Sequence, residues 1–398
     1  MKSIALTLML IAFRVMQGSG QDPHFSQFYA NRVYLNPAYT GIEAGWTMNI
    51  NYRNQWFGLP DASIGRFSDS YGTYSVSLEK QVSCMYGRDD INLGVGLSVF
   101  KDDAGAQPLT TQGAGLSMSY ELKLFQNTTS RVKLKRLDMR FGTQISMMQR
   151  SLGGDYFIYS GQLDPVAGLN GMDPATLGLT SRFYPNMNAG IMLRGNYSKD
   201  RYHECLFTFG LTFANVNRPD NSLLNSASPS ILPMRTTLHA GATFKAPSFA
   251  GVRLPIYFAP QLRWDQQAGG KLNTQTLGAY ILSKGYYSGV FFQYNFPYSQ
   301  AGAGLPANNF LTGNTSTLIL NFGIDLKSVF DTGVRWAKRK EGIVLGLSYD
   351  LNLSGLNSSN TLGVLEMNLR INLAKEVKRD CGAIGKFELY RGGCPVIF

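Results

Sequence analysis

Leu365, Met367, Leu369, Ile371 and Leu373 fall on one face of an extended chain, and Glu366, Asn368, Arg370 and Asn372 fall on the other. Successive side chains of a strand point to opposite faces, so this spacing demands water on one side and lipid or core on the other. About fourteen stretches of the chain carry such a pattern over the length that crosses a bilayer as a tilted strand. No stretch after residue 20 is long and apolar enough to be a spanning helix. The pattern predicts an all-β fold, a transmembrane antiparallel β-barrel of about 14 strands in an outer membrane.

The strands are expected over residues 45–56, 70–80, 91–101, 112–124, 132–147, 185–198, 204–217, 234–246, 252–266, 273–284, 287–299, 315–328, 342–354 and 361–375. Outward faces are legible at Trp46, Met48, Ile50 and Tyr52, at Leu93, Val95, Leu97 and Val99, at Leu116, Met118, Tyr120 and Leu122, and at Phe207, Phe209, Leu211 and Phe213. Gly94, Gly96, Gly115 and Gly346 sit on the opposite faces, where a polar or narrow interior suits them. An even strand number places both chain ends on one side, the periplasm in bacterial barrels. The long connections from Gly153 to Tyr184, Val216 to Pro233 and Tyr298 to Asn314 then lie outside. Tight ones near Lys199, Pro247 and Lys284 lie inside, as the class requires. Two inside connections are over-long, Gln81 to Asp90 and Lys327 to Glu341, and are candidates for periplasmic contacts.

Residues 1–20 read as a secretory signal: Lys2, an apolar run from Ile4 to Phe13, and the small residues Gly18, Ser19 and Gly20 before Gln21. The expected organisation is a signal at 1–20, an N-terminal periplasmic segment at 21–44, a barrel at 45–375 and a periplasmic tail at 376–398. Formal net charge is +11, and much of the basic excess maps to the inside rim, with Lys338, Arg339 and Lys340 adjacent in one connection. One reading is a solvated rim; the other is a docking surface for an acidic periplasmic partner. Nucleic acid is a poor partner for an exported barrel.

Catalysis finds little support. His239 lies in a strand pattern beside Thr236 and Thr237, and His203 sits next to Glu204; neither has an orienting partner at a recognisable spacing. A phosphate loop, an HExxH pair and a nucleophile elbow are all missing from the sequence. Asp164 and Asp173 lack the spacing of a calcium loop. Neither metal nor other cofactor is expected. Of Cys84, Cys205, Cys381 and Cys394, the last two could close a short tail loop by a disulfide, whereas zinc binding lacks a CxxC pair.

The segment QDPHFSQFYANRVYLNPAYTG, Gln21 to Gly41, resembles the start of the PorP/SprF family of type IX secretion system membrane proteins from Bacteroidota. YRNQW at Tyr52 to Trp56, SYDLNLSGL at Ser348 to Leu356, LEMNLRINL at Leu365 to Leu373 and the terminal Cys394-Pro395 are similar too, in the same order. The resemblance implies a non-enzymatic outer-membrane barrel that anchors the machinery or supports secretion and surface attachment of specific cargo, including gliding adhesins. Implied partners are outer-membrane lipids, periplasmic ring lipoproteins and a secreted cargo or adhesin C-terminal domain. Barrel physics alone would favour a passive porin or a transporter of hydrophobic solutes.

Pro23 and Pro37 oppose a regular strand or helix through the N-terminal motif. Its Phe25, Phe28, Tyr29, Tyr34 and Asn36 need a surface to pack on, and the segment is expected at or in the periplasmic mouth, narrowing the lumen or only ordering the first strand. These five residues, with Lys338, Arg339 and Lys340, are the partner-binding candidates.

The tail supplies the first prediction. A bond between Cys381 and Cys394 would constrain the unfolded tail by roughly 3 kcal/mol in the chain-entropy model. Mass spectrometry of unreduced peptides should recover the two as one linked species, and two free thiols would dismiss the bond.

Overall fold

The computed structural model describes residues 22–43, 45–56, 71–83, 92–105, 109–127, 134–152, 163–164, 168–169, 179–198, 204–223, 229–245, 256–270, 272–283, 285–296, 315–326, 341–353 and 362–373. Long strands account for most of them: β1 (Trp46–Gln55), β2 (Tyr71–Ser83), β3 (Asn92–Ala104), β4 (Leu109–Gln126) and β5 (Leu134–Leu152). Then follow β6 (Tyr184–Ser198), β7 (Glu204–Ala214), β8 (Arg235–Lys245), β9 (Ile256–Gln267) and β10 (Leu272–Ser283). The last are β11 (Tyr286–Phe296), β12 (Thr315–Asp325), β13 (Glu341–Asn352) and β14 (Val364–Leu373). Every expected strand has its counterpart.

Each strand pairs antiparallel with its chain neighbour, and β1 pairs with β14 from Trp46 opposite Leu373 to Gln55 opposite Val364. That last ladder closes a 14-strand barrel and removes the free edges an open sheet would present. Register follows the two-residue period: Met367 and Leu347 are 44% and 45% exposed, while Asn368, Glu366 and Ser348 are buried within the wall. Expected outward faces are likewise the exposed ones, with Leu97, Val99, Leu116 and Phe209 among the most open. Among the described residues no helix is long and apolar enough to cross a membrane; the strands do the crossing.

One rim, here the near rim, carries the entry to β1 and the exit from β14; the far rim carries Gln55, Ala214, Arg235, Gln267 and Val364. Residues 22–43 fill the lumen between them. They form a single helical turn, α1 (Arg32–Leu35), and a 3-10 turn over Pro37–Tyr39. Proline suits that first position because its missing N–H would find no partner there. The Asn36 side chain caps the turn by accepting from the Ala38 N–H at 2.9 Å.

The apolar core of the protein therefore lies inside the barrel. Phe28, Tyr29, Leu35, Ala38 and Tyr39 cluster with Met192, Tyr280, Leu282, Phe291 and Ile319 of the wall. The segment was expected at or in the periplasmic mouth, narrowing the lumen or only ordering the first strand; it runs the length of the lumen, from Glu43 beside Asn372 at the near rim to Asp22, which reaches Gln267 and Asn215 at the far rim. The physical reason is that inward-facing wall charges need partners, and main-chain polar atoms of the segment supply them. Residues 1–21, the tail with Cys381 and Cys394, and Lys338, Arg339 and Lys340 lie outside the described residues.

The faces of β14 make the fold testable. Leu369→Arg puts a charge on the outer face mid-strand and should destabilise by about 2–4 kcal/mol if it sits at the bilayer midplane. Asn368→Arg should also destabilise, because Asn368 is buried and donates to Asn51 Oδ1 at 3.0 Å in a filled interior. Unfolding titrations in lipid should find both variants weakened; a tolerated Asn368→Arg would argue for an open, watery lumen.

Candidate functional site

The lumen concentrates the chemistry of the described residues, and three layers of wall side chains hold the segment. At the far rim the Asp22 N–H donates to Gln267 Oε1 at 3.2 Å, and its carboxylate accepts from Asn215 Nδ2 at 2.9 Å. The Arg235 guanidinium lies 3.4 Å from that carboxylate, donates to the Tyr34 hydroxyl at 3.2 Å and covers the Tyr34 ring. Tyr34 in turn donates to the Pro23 carbonyl at 2.6 Å, meets Phe25 edge-on and stacks on Phe100. His24 sits 3.6 Å from Asp265. Burial, aided by Arg263, Arg53 and Arg235, pushes the His24 imidazole well below its ordinary pKa, so it is neutral at physiological pH. Asp265 finds its countercharge in Arg263 at 2.6 Å.

In the middle layer Glu366, fully buried, accepts the N–H groups of Ser26 at 2.7 Å and Gln27 at 2.9 Å. Arg53 approaches the same carboxylate at 3.3 Å and Asp350 at 3.2 Å, and the Ser26 hydroxyl sits between Arg53 and Asp350. Beside this cluster Phe28 meets Phe291 and Tyr29 meets Tyr280, both edge to face, with centroids 6.1 and 4.7 Å apart. Asn36 donates to the Ile191 carbonyl at 3.2 Å and faces His239 Nε2 at 3.1 Å. The strand histidine is thus a packing partner of the segment, its ring tilted over Tyr39.

At the near rim Arg140, 1% exposed, donates to the carbonyls of Ala38 at 2.9 Å and Thr40 at 2.8 Å and pairs with Glu121 at 2.6 Å. Glu79 accepts the Gly41 N–H at 3.0 Å. Glu43 pairs with Arg32 at 2.5 Å, receives the Asn372 amide at 2.6 Å and lies 3.5 Å from Arg370. Burial alone would raise the Glu43 pKa, but Arg32 and Arg370 outweigh it and hold the carboxyl at about 2. A folded-state pKa below the unfolded value means that the clasp stabilises fully above about pH 4.5 and is lost as pH falls through about 2.

Two wall glycines show how closely the segment is received. A Cβ on Gly142 would collide with the backbone of Pro37 and Ala38, and one on Gly94 with the Thr40 carbonyl. The wall reads the segment mostly through main-chain atoms, which Glu366, Glu79, Arg140 and Arg263 all contact.

Of the candidates read from sequence, Phe25, Phe28, Tyr29 and Asn36 are all less than 5% exposed and Tyr34 is half-buried. They converge on the lumen and pack against the wall. Sequence reasoning missed their counterparts Arg53, Arg140, Arg263, Asp350 and Glu366. The available signal was charge at inward strand positions, since an ionisable residue at membrane depth requires a partner. Among the described residues no group of three or more His, Cys, Asp or Glu side chains is placed to hold a metal.

Residues 17–371 match the family described as "Type IX secretion system membrane protein PorP/SprF". No curated protein matches the chain. Solved structures similar to it include a Pseudomonas aeruginosa FadL homologue, 10% identical, covering 85% of this chain and 93% of that one with a TM-score of 0.38. BamA from Haemophilus ducreyi lacking POTRA domains 1–3 is 10% identical, covers 82% and 70%, and has a TM-score of 0.37. CdiB from Acinetobacter baumannii is 8% identical, covers 83% and 60%, and has a TM-score of 0.39. Likeness at this level bears on neither substrate nor partner.

The fit at Gly142 gives a paired test. Gly142→Ala should lift the segment and cost about 1–3 kcal/mol, as overpacking does. Gly241→Ala also faces inward, but its Cβ would meet nothing closer than 3.4 Å and should be near neutral. Limited proteolysis of residues 22–43 in folded barrels reads the difference, and equal protection in both variants would mean that the segment is not seated on Gly142.

Proposed function

Because the chain belongs to the PorP/SprF family of type IX secretion system membrane proteins, we propose that this outer-membrane barrel works as an anchor or cargo-specific partner rather than as a conduit. The observation that carries the reading is the occupied lumen. A passive porin or a carrier of hydrophobic solutes needs an open path, and here Phe28, Tyr29, Leu35 and Tyr39 take up the interior with their own wall partners.

With conduction set aside, the rims are the surfaces left for partners. Barrels of this class keep short turns in the periplasm and long loops outside. The near rim is accordingly the periplasmic one in this proposal, and ring lipoproteins meet the barrel there. A secreted cargo or adhesin C-terminal domain is the partner proposed for the far side. Lys338, Arg339 and Lys340, in the connection between β12 and β13, are the proposed contact for an acidic periplasmic partner. Charge of one sign steers an encounter and sets its salt dependence more than it fixes affinity. Phe25, Phe28, Tyr29, Tyr34 and Asn36 contribute by holding the segment in place, which keeps both mouths in one shape.

Co-purification from native membranes tests the proposal. Replacing Lys338, Arg339 and Lys340 together by Ser should slow capture of the periplasmic partner and flatten its salt dependence, while heat-modifiability shows the barrel intact. Phe25→Ala with Phe28→Ala should reduce recovery through loss of the seated segment. If both variants fold and retain full partner recovery and secretion, while trimming residues 153–184 abolishes them, the periplasmic assignment fails.

A further inference from the structure

The far end of the segment closes over a cavity of about 20 Å³, room for one water, lined by Asp22, His24, Arg235, Arg263, Asp265 and Gln267. Two guanidinium groups face two carboxylates there, and His24 is neutral. Asp265 has its partners in the wall, its Oδ1 accepting from Thr237 at 2.5 Å and its Oδ2 in an ion pair with Arg263 at 2.6 Å. Asp22 is different, because it belongs to the segment and not to the wall. Were it withdrawn, the pocket would keep one uncompensated positive charge on Arg235, whose Nε is buried without a hydrogen bond. The Asn215 amide and the Gln267 side chain would lose the partners they have in Asp22. A buried cation left in that state is strongly disfavoured.

The groups next to this carboxylate position hold peptide backbone. Gln267 takes an N–H, and Arg263 donates to the Phe25 carbonyl at 3.3 Å. A carboxylate carried on a polypeptide satisfies all of them; a small acid satisfies only Arg235 and Asn215. At the opposite end, Gly41 and Gly45 sit at φ +61 and +85, where the chain leaves the lumen for β1. Glycine enters that region without strain, and Glu79 holds the Gly41 N–H, so the near-rim end of the segment stays fixed when its far end is released.

We propose that the Arg235 pocket is a binding site for the carboxylate of a polypeptide, occupied at rest by the Asp22 side chain. An incoming peptide carboxylate takes Arg235 and Asn215, Asp22 gives way, and residues 22–25 are freed at the far rim while the Glu366 and Arg140 layers keep the rest of the segment seated. The exchange competes with a tethered group whose effective concentration is on the order of millimolar. A free peptide must therefore reach that range, or be presented by a partner already docked. The inference rests on the geometry of the lumen and not on the secretion reading, and the test below uses the purified barrel alone.

Full-length protein is reconstituted in lipid nanodiscs and amide hydrogen exchange of residues 22–25 is recorded. The probes are acetyl-Asp-Pro-His-Phe-Ser-amide, which copies residues 22–26, its Asn-for-Asp counterpart, and sodium acetate, each at several millimolar. Residues 22–25 of wild-type protein should be protected and the Asp peptide should raise their exchange, with the Asn peptide and acetate at least about tenfold weaker, the effect expected for a lost charge-assisted hydrogen bond. Asp22→Asn should exchange fast there without any probe. Should that variant fail to fold, Asn215→Gly, which removes one donor to the carboxylate and suits the φ of +57 at that position, serves in its place. Equal action of the Asp and Asn peptides, or an Asp22→Asn barrel as protected as wild type, overturns the site. Acetate as effective as the Asp peptide overturns its assignment to a polypeptide.

Discussion

Two consecutive main-chain N–H groups, those of Ser26 and Gln27, meet one buried carboxylate, Glu366, and much of the interior is arranged around that meeting. Glu366 and Asp350 share a single guanidinium, that of Arg53. Removing Arg53 would leave buried carboxylates without a countercharge, generally about 3–5 kcal/mol unfavourable. Segment and wall are thus conditional on each other. The wall tolerates its inward charges because the segment is there, and the segment, with two prolines and one helical turn, has a defined path because the wall specifies it.

The same logic explains why recognition runs through the main chain. Carbonyls of Phe25, Ala38 and Thr40 and N–H groups of Asp22, Ser26, Gln27 and Gly41 would be orphaned by an irregular backbone buried in a barrel. Buried polar groups need partners, and irregular backbone at membrane depth is tolerated only within protein. Wall side chains of Arg, Glu, Gln and Ser provide the partners, and the aromatic layer of Phe28, Tyr29, Tyr280 and Phe291 fills the volume between them. Apolar burial and polar pairing are stacked along the lumen instead of being segregated into core and surface.

For function, an occupied lumen shifts attention from transport to surfaces and to the fate of the segment. In a type IX secretion barrel whose lumen is occupied, the proposed role of holding partners at the rims needs no open path through the wall. The segment reaches from Gly41 and Gly45 at one rim to Asp22 at the other and is held along its length by wall side chains, Glu366 and Arg140 among them.

Strand number, strand faces and closure were legible in the sequence because a strand has a strict two-residue period: Met367 against Asn368, or Leu97 against Gly96, states its own side of the wall. The N-terminal motif was legible as a unit in need of a surface, and Phe25, Phe28, Tyr29 and Asn36 do share one. Its location was not, since Pro23 and Pro37 erase any period and leave nothing local from which to read a path. Nor could the sequence pair Glu366 with Ser26, or Arg140 with Thr40. Those residues are hundreds or about a hundred positions apart, and their meeting depends on closure bringing β14 to β1 and β5 to the lumen floor. Local periodicity decides which way a side chain faces; only the closed barrel decides what it faces.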